Sequence, residues 1–402
     1  MRSGGLLQLG RRANASPLLS EEEAQRWRDL RPRFAHVYVE NKCHLRCAHC
    51  YESEETHPTH LRLRLDQYEG IFRGLANLGV LVLTFSGGEP FLRRDFLDIV
   101  ALARRMRFAA RVYTSGTHID ERKADRLREL RVTEVHISIY SHESSVHDGF
   151  TGVPGSFDRS VRAIRLLRER QIPVTMKTNV LTFNVDHLDD LVHFAQQLDA
   201  SVLFGPDLWA RNNGDVAPLQ YRVSAQELAR KVFSRLDLER RFLPLAGGEE
   251  CSGEAKWDVD KSPCAAASRI ITVGADGNIY PCTMFTTAGG NIAQQSIEDI
   301  WYRSRVFDRI RRTTLGDFND CPSCDLREAC HPCMAYGEIE HGDHRACNST
   351  SRNSAEAVDL LAQRRANAQR KMATGRCLPI VADTVAPLPH AHGVVLGGEE
   401  FL

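Results

Sequence analysis

No apolar run in the 402-residue chain approaches the ~20 residues that span a bilayer, and its formal net charge is zero. The first absence argues against a membrane-spanning helix. The second gives no pull toward nucleic acid or an anionic lipid surface. Arg11-Arg12 is a twin arginine, but ANASPLLSEEE follows where an export signal needs an apolar stretch. Ser20 and Glu23 in that stretch instead spell a helix capping box. With 42% hydrophobic and 26% charged residues the composition is that of an ordinary globular protein, long enough for two domains.

Cysteine, by contrast, is abundant. Of twelve, three lie at 43–50 and seven between 264 and 347, with Cys251 and Cys377 outside both groups. Clustered cysteines in a chain without a secretory signal favour metal binding over disulfides. Thiolate-held iron needs reducing surroundings, so a cytoplasmic location is expected. The first group reads NKCHLRCAHCYE, which gives Cys43, Cys47 and Cys50 the spacing C-x3-C-x2-C. Iron–sulfur cubanes normally take four cysteines, so a loop with three leaves one iron open. A partial zinc site completed by His44 or His49 is the competing reading. Zinc does not account for FSGGEP at 85–90, one βα unit later.

From Phe34 to Pro206 short β-rich runs alternate with amphipathic stretches. FAHVYVE at 34–40 reads as a strand entering the cysteine loop, and VLVLTFS at 80–86 as a strand buried on both faces. Residues 111–116, 133–141, 174–180 and 201–205 continue the series. Helices between them include one from Leu65 and one over 156–170, where Phe157, Val161, Ile164 and Leu167 make one apolar stripe. Six strands alternating with helices imply a parallel α/β architecture, either an open Rossmann-like sheet or a barrel.

Together, C-x3-C-x2-C and GGEP resemble the radical S-adenosylmethionine (SAM) superfamily. The resemblance implies a partial (β/α)6 TIM-like barrel with its chemistry at the C-terminal strand ends. Cys43, Cys47 and Cys50 would hold a 4Fe-4S cluster whose open iron SAM chelates. Gly87 and Gly88 would admit the methionine part of SAM, Glu89 would hold its amino group, and His49 would lie near adenine. Ser115, Ser138 and Asn179 match polar positions near the ribose or carboxylate, though a turn or cap role explains such residues too. Lys177 would hold the SAM carboxylate or stand in solvent. The implied chemistry is reductive cleavage of SAM to methionine and a 5′-deoxyadenosyl radical, fed by an external donor of flavodoxin or ferredoxin type.

The later cysteines extend the resemblance. Cys264 and Cys282 flank a hairpin signal, Ala275-Asp276-Gly277-Asn278. CPSCDLREACHPC then supplies Cys321, Cys324, Cys330 and Cys333, and Cys347 follows. This resembles the seven-cysteine SPASM extension, which implies two auxiliary Fe–S clusters. A zinc ribbon would separate its CxxC pairs by ~15–20 residues; here five intervene. The family carries three residues between the last two clustered cysteines where this chain has His331 and Pro332, which leaves the role of Cys333 open. By resemblance, Cys321, Cys324, Cys330 and Cys347 hold the outer cluster and Cys264, Cys282 and Cys333 the inner one. Cys251 is the candidate fourth ligand, against an open iron or a plain structural thiol. The expected parts are an N-terminal extension (1–33), the barrel (34–208), a connector (209–262), the cysteine-rich SPASM domain (263–350), and a C-terminal helix and tail (351–402).

SPASM enzymes mostly act on peptides, so the resemblance points to a maturase of ribosomally made precursors. It would take hydrogen from a precursor peptide and form a cross-link or related oxidation. HISIYSHESSVHDGFTGVPGSF at 136–157 resembles peptide-modifying members. The alternatives are formylglycine formation of the anaerobic sulfatase-maturase kind, dehydrogenation of a small molecule, and, outside enzymes, a zinc-binding interaction scaffold. Only 33 residues precede the first expected strand, short of the ~50 of a minimal domain. Peptide recognition is therefore expected from the barrel mouth, the second domain, the tail or a separate peptide-recognition protein. No general base stands out from the sequence.

Overall fold

The computed structural model describes residues 18–53, 62–234, 257–373 and 394–396. Cys251 and Cys377 lie outside the described residues. Six parallel strands follow in chain order: β1 (Phe34–Glu40), β2 (Val82–Gly87), β3 (Ala109–Thr114), β4 (Glu134–Ser138), β5 (Val174–Asn179) and β6 (Ser201–Gly205). Each pairs with its sequence neighbour. Helices Leu65–Asn77, Phe96–Arg105, Glu121–Glu129, Ser156–Glu169 and Leu188–Gln197 join them.

The period of two in each strand sorts the side chains. Val37, Leu83, Phe85, Val112, Val135, Ile137, Met176 and Phe204 are buried against Phe72, Ile99, Leu127, Ile164 and Leu191 of the helices, in one continuous core. The alternate positions carry His36, Tyr38, Arg111, Tyr113, Glu134, His136, Thr175 and Lys177. The inner wall of the curved sheet is therefore polar and aromatic.

The sheet is not closed. It runs in the order β10-β6-β5-β4-β3-β2-β1-β7-β8-β9. The hairpin signal at 275–278 is answered by β7 (Ile270–Val273) and β8 (Asn278–Tyr280), antiparallel, with β9 (Gly290–Asn291) beyond them. This hairpin is no separate layer: β7 pairs in parallel with β1, Phe34 opposite Ile270 and Val37 opposite Val273. At the other edge, residues 394–396 of the tail form β10, parallel to β6 with Val394 opposite Val202. The strand expected over 133–141 stops at Ser138. Beyond it, Ser141 Oγ accepts the N–H of Glu143 at 3.1 Å and turns the chain into helix Ser144–Thr151.

The capping box is formed, Ser20 N–H donating to Glu23 at 2.8 Å and Glu23 N–H to Ser20 Oγ at 3.2 Å. The segment it opens packs on helices Ile297–Arg303 and Arg305–Arg312, where Trp27 donates to Asp308 and Trp301 to the Leu30 carbonyl. Among the described residues no helix is long and apolar enough to cross a membrane.

Candidate active site

The cysteine loop leaves β1, and the end of β2 lies against its base. Gly88 N–H donates to the Glu40 carbonyl at 2.8 Å, and Glu89 N–H to that of Lys42 at 2.9 Å. A Cβ on Gly87 would stand 2.0 Å from Glu40 O, and one on Gly88 2.4 Å from Lys42 O. Gly87 also has φ +135°. The close approach these glycines permit is thus first to the backbone of the cysteine loop itself. Below them, the Glu40 carboxylate accepts the N–H groups of Asn41 and Lys42 and pairs with Arg62 at 2.9 Å.

Glu89 is fully buried. Oε1 accepts from Thr114 Oγ1 at 2.7 Å and Phe91 N at 3.1 Å; Oε2 accepts from Ser115 N at 2.8 Å and Ser115 Oγ at 2.5 Å. Ser115 Oγ continues to Thr117 Oγ1 at 2.9 Å, which meets His44 Nε2 at 2.7 Å. One chain of polar contacts therefore runs from GGEP through the end of β3 back to the residue beside Cys43.

The other side of the loop is held by helix Ser144–Thr151, an element the sequence reading did not place here. Arg46 N–H donates to Thr151 O at 2.8 Å and Ala48 N–H to Phe150 O at 3.2 Å. The only signals of this in the sequence are Phe150 and Gly152, the latter at φ +71° with Arg46 packed against it. The ring of His49 lies 4.7 Å from that of Tyr140 and 5.0 Å from that of Phe150. Burial pushes its pKa down to about 4, opposed by a hydrogen bond with Asn179. The structure thus brings His49 and Asn179 together, with Ser138 bonded to the Tyr140 side chain nearby. Lys177 is set apart on the inner wall, half-buried, its Nζ 4.3 Å from the centre of the Tyr113 ring.

All ten described cysteines are free thiols, and they fall into three sets by the charge they feel from one another. Burial raises Cys47, and Cys50 and Cys43 raise it further. Burial also pushes Cys282 up to about 12, with Cys264 adding to it, and raises Cys333 with Cys282 and Cys264 adding. Cys330 is pushed up to about 12 by burial, then by Cys321, Cys347 and Cys324. The chain crosses from one set to the next between Cys330 and Cys333, with only His331 and Pro332 between.

Two sequence profiles match the chain: the radical SAM superfamily over residues 37–198, and the SPASM iron–sulfur cluster-binding domain over 264–336. The protein is a radical SAM enzyme. Its family's cofactors are SAM with a 4Fe-4S cluster, and auxiliary Fe–S clusters in the SPASM domain. Among known proteins, an AdoMet-dependent heme synthase of Methanosarcina barkeri is 24% identical over 75% of this chain and 91% of its own. A PqqA peptide cyclase of Granulibacter bethesdensis is 25% identical over 72% of this chain and 78% of its own. The crystal structure of Streptococcus suis SuiB bound to its precursor peptide SuiA shares the fold, with a TM-score of 0.63 at 16% identity over 80% of this chain and 76% of that one. The thiols of this radical SAM chain fit clusters. Among the described residues, no three His, Cys, Asp or Glu side chains crowd closely enough for a single ion. Thiols that press on one another without converging on a point suit a multi-iron cluster rather than zinc, whose ligands stand about 2.3 Å from the metal.

Proposed function

We propose that this radical SAM enzyme is a maturase of a ribosomally made peptide, introducing a cross-link or a related oxidation. The observation that carries the reading is the seat of the Cys264, Cys282 and Cys333 set. Cys264 and Cys282 flank the hairpin that pairs with β1, and β1 carries buried Tyr38, whose hydroxyl meets that of Tyr51, next to Cys50, at 3.0 Å. A cluster held by that set would give an electron acceptor beside the barrel, as an oxidation of substrate requires. The peptide class is supported by the PqqA peptide cyclase relatives and by the fold shared with SuiB.

Cys43, Cys47 and Cys50 would hold the SAM-binding cluster, which with SAM would supply a 5′-deoxyadenosyl radical to take a hydrogen atom from the substrate. Gly87, Gly88 and Glu89 fix the loop that presents it. Neutral His49, with Tyr140, Phe150 and Asn179, walls the nucleoside side, flanked by Ser115 and Ser138, and Lys177 offers a positive charge from below. Two auxiliary clusters would take the later cysteines as grouped, the fourth position of the inner one going to Cys251 or to substrate. Electrons would enter from an external flavodoxin- or ferredoxin-type donor, and the peptide would be recognised by the barrel mouth, the second domain, the tail or a separate protein. The heme synthase relatives favour a second reading, oxidation of a small molecule.

The test is anaerobic co-expression with a short reading frame adjacent to the gene. A mass loss of about 2 Da per modification supports the maturase, since one hydrogen atom, one proton and one electron leave. An unaltered peptide beside active SAM cleavage overturns it.

A further inference from the structure

Bond formation after hydrogen removal needs a proton acceptor, and the inner wall carries a buried histidine, His136. On β4, Glu134, His136 and Ser138 face away from Val135 and Ile137, which lie in the helix-covered core. Glu134 is gripped from three sides: Thr175 Oγ1 donates to Oε1, and Arg111 Nε and His136 Nε2 stand 3.3 and 3.0 Å from Oε2. Burial alone raises its carboxyl, but His136, Thr175 and Arg111 outweigh that and bring it to about 2. The carboxylate 3.0 Å from Nε2 is placed to favour the ring proton on that nitrogen and to leave Nδ1 free to accept.

The ring stacks on Tyr113 with centroids 4.6 Å apart and planes 25° apart, and the residue is 4% exposed. Both ring nitrogens are buried without a hydrogen bond of good geometry: Nε2 stands 3.0 Å from the Glu134 carboxylate, and Nδ1 faces no partner. A buried polar atom left so on a ring fixed from both sides is the mark of a place that a ligand completes. The groups around it are Arg111 and Tyr113 of β3, Glu134 of β4, Thr175 and Lys177 of β5, and His36 of β1 at the edge of Tyr113. His136 sits two residues, about 6.6 Å, below the end of β4. Tyr113 immediately precedes Thr114, which holds Glu89. The ring therefore lies one side-chain layer beneath the level of GGEP.

We propose that His136 Nδ1 is the proton acceptor for the substrate, with Glu134 as its positioning residue. Once a hydrogen atom has left a substrate carbon, that carbon bonds to an N, O or S of the same peptide as the N–H, O–H or S–H bond breaks. The proton goes to His136 Nδ1, and the remaining electron would be taken up by an auxiliary Fe–S cluster held by the later cysteines. This rests on the maturase reading.

The test compares reconstituted wild type, His136→Phe, His136→Gln and Glu134→Gln with the adjacent peptide, measuring 5′-deoxyadenosine and modified peptide from pH 6 to 9. The expected result for His136→Phe is 5′-deoxyadenosine formation within about threefold of wild type and a modified-peptide yield at least ~10²-fold lower, the usual worth of a general base. Glu134→Gln lowers the modified-peptide yield while 5′-deoxyadenosine formation stays near wild type, and in a fourth variant, His136→Ala, added imidazole restores part of the product. If His136→Phe fails to fold, His136→Gln decides by the same ratio. A wild-type ratio of product to 5′-deoxyadenosine in these variants, or loss of both in step, overturns the assignment. A wild type that leaves the peptide unmodified overturns the maturase reading, and this one with it.

Discussion

Oε2 of Glu89 accepts both donors of Ser115, the backbone N–H at 2.8 Å and the hydroxyl at 2.5 Å. With Thr114 and Phe91 on Oε1, all four acceptor positions of the carboxylate are in use. Glu89→Gln turns one acceptor oxygen into a donor and leaves buried donors facing it. The expected cost is about 2–4 kcal/mol in urea unfolding; a change under about 0.5 kcal/mol would show that the network carries no stability.

Gly87→Ala places a methyl group into the Glu40 carbonyl at a φ that other residues avoid. The loop must shift, and the first set of cysteines with it. We expect iron per chain to fall by roughly a third, one cluster of three, while the spectra of the auxiliary clusters persist. Full iron content in this variant would contradict that account of the glycine pair.

Cys330→Ala and Cys333→Ala are three positions apart yet belong to different sets. Each is expected to remove a different auxiliary signal in electron paramagnetic resonance of the reduced protein. Loss of the same signal from both would mean that the two-residue spacing merges the sets.

His147 is buried against Tyr140, whose N–H donates to its Nδ1 at 3.3 Å, and burial holds its pKa down to about 4. Because the folded value lies below the ordinary one near 6.5, the unfolded chain takes the proton first. The stability from this group is whole above about pH 6.5 and is lost as pH falls through about 4. Between pH 7.5 and 5 the wild type should lose about 2 kcal/mol more than His147→Gln in urea unfolding. Equal losses in the two proteins would rule the group out.

Much of this was legible before the fold. The apolar runs ending at Glu40, Gly87 and Asn179 are strands because each fills a buried face, and local composition records that. The partner of a strand is not recorded locally. Ile270–Val273 reads as half of a hairpin, and nothing in four apolar residues says that β1 lies on its other side. The grip of Phe150 and Thr151 on the cysteine loop was hidden for a related reason, since backbone hydrogen bonds leave no mark in side-chain identity. His136 was hidden by its ordinariness: alternation explains a histidine in a strand, and what distinguishes it is the Glu134 carboxylate beside it and the stacked ring of Tyr113. The resemblance groups Cys333 with Cys264 and Cys282 despite the shortened spacing, and nothing in His331 and Pro332 themselves records which set each neighbouring cysteine joins.

Because β7 hydrogen-bonds to β1, the cysteine-rich region is part of the barrel's wall rather than an appendage. A gene that inherited the first motifs without residues 270–273 would leave Phe34–Val37 with a bare row of backbone donors and acceptors, an edge that invites pairing with other chains. A recombination point placed near residue 263, between the two matched regions, would cut a β-sheet in two. The heritable unit is the barrel together with its hairpin, and chimeras that exchange auxiliary clusters among such enzymes must carry the register of that one pairing with them.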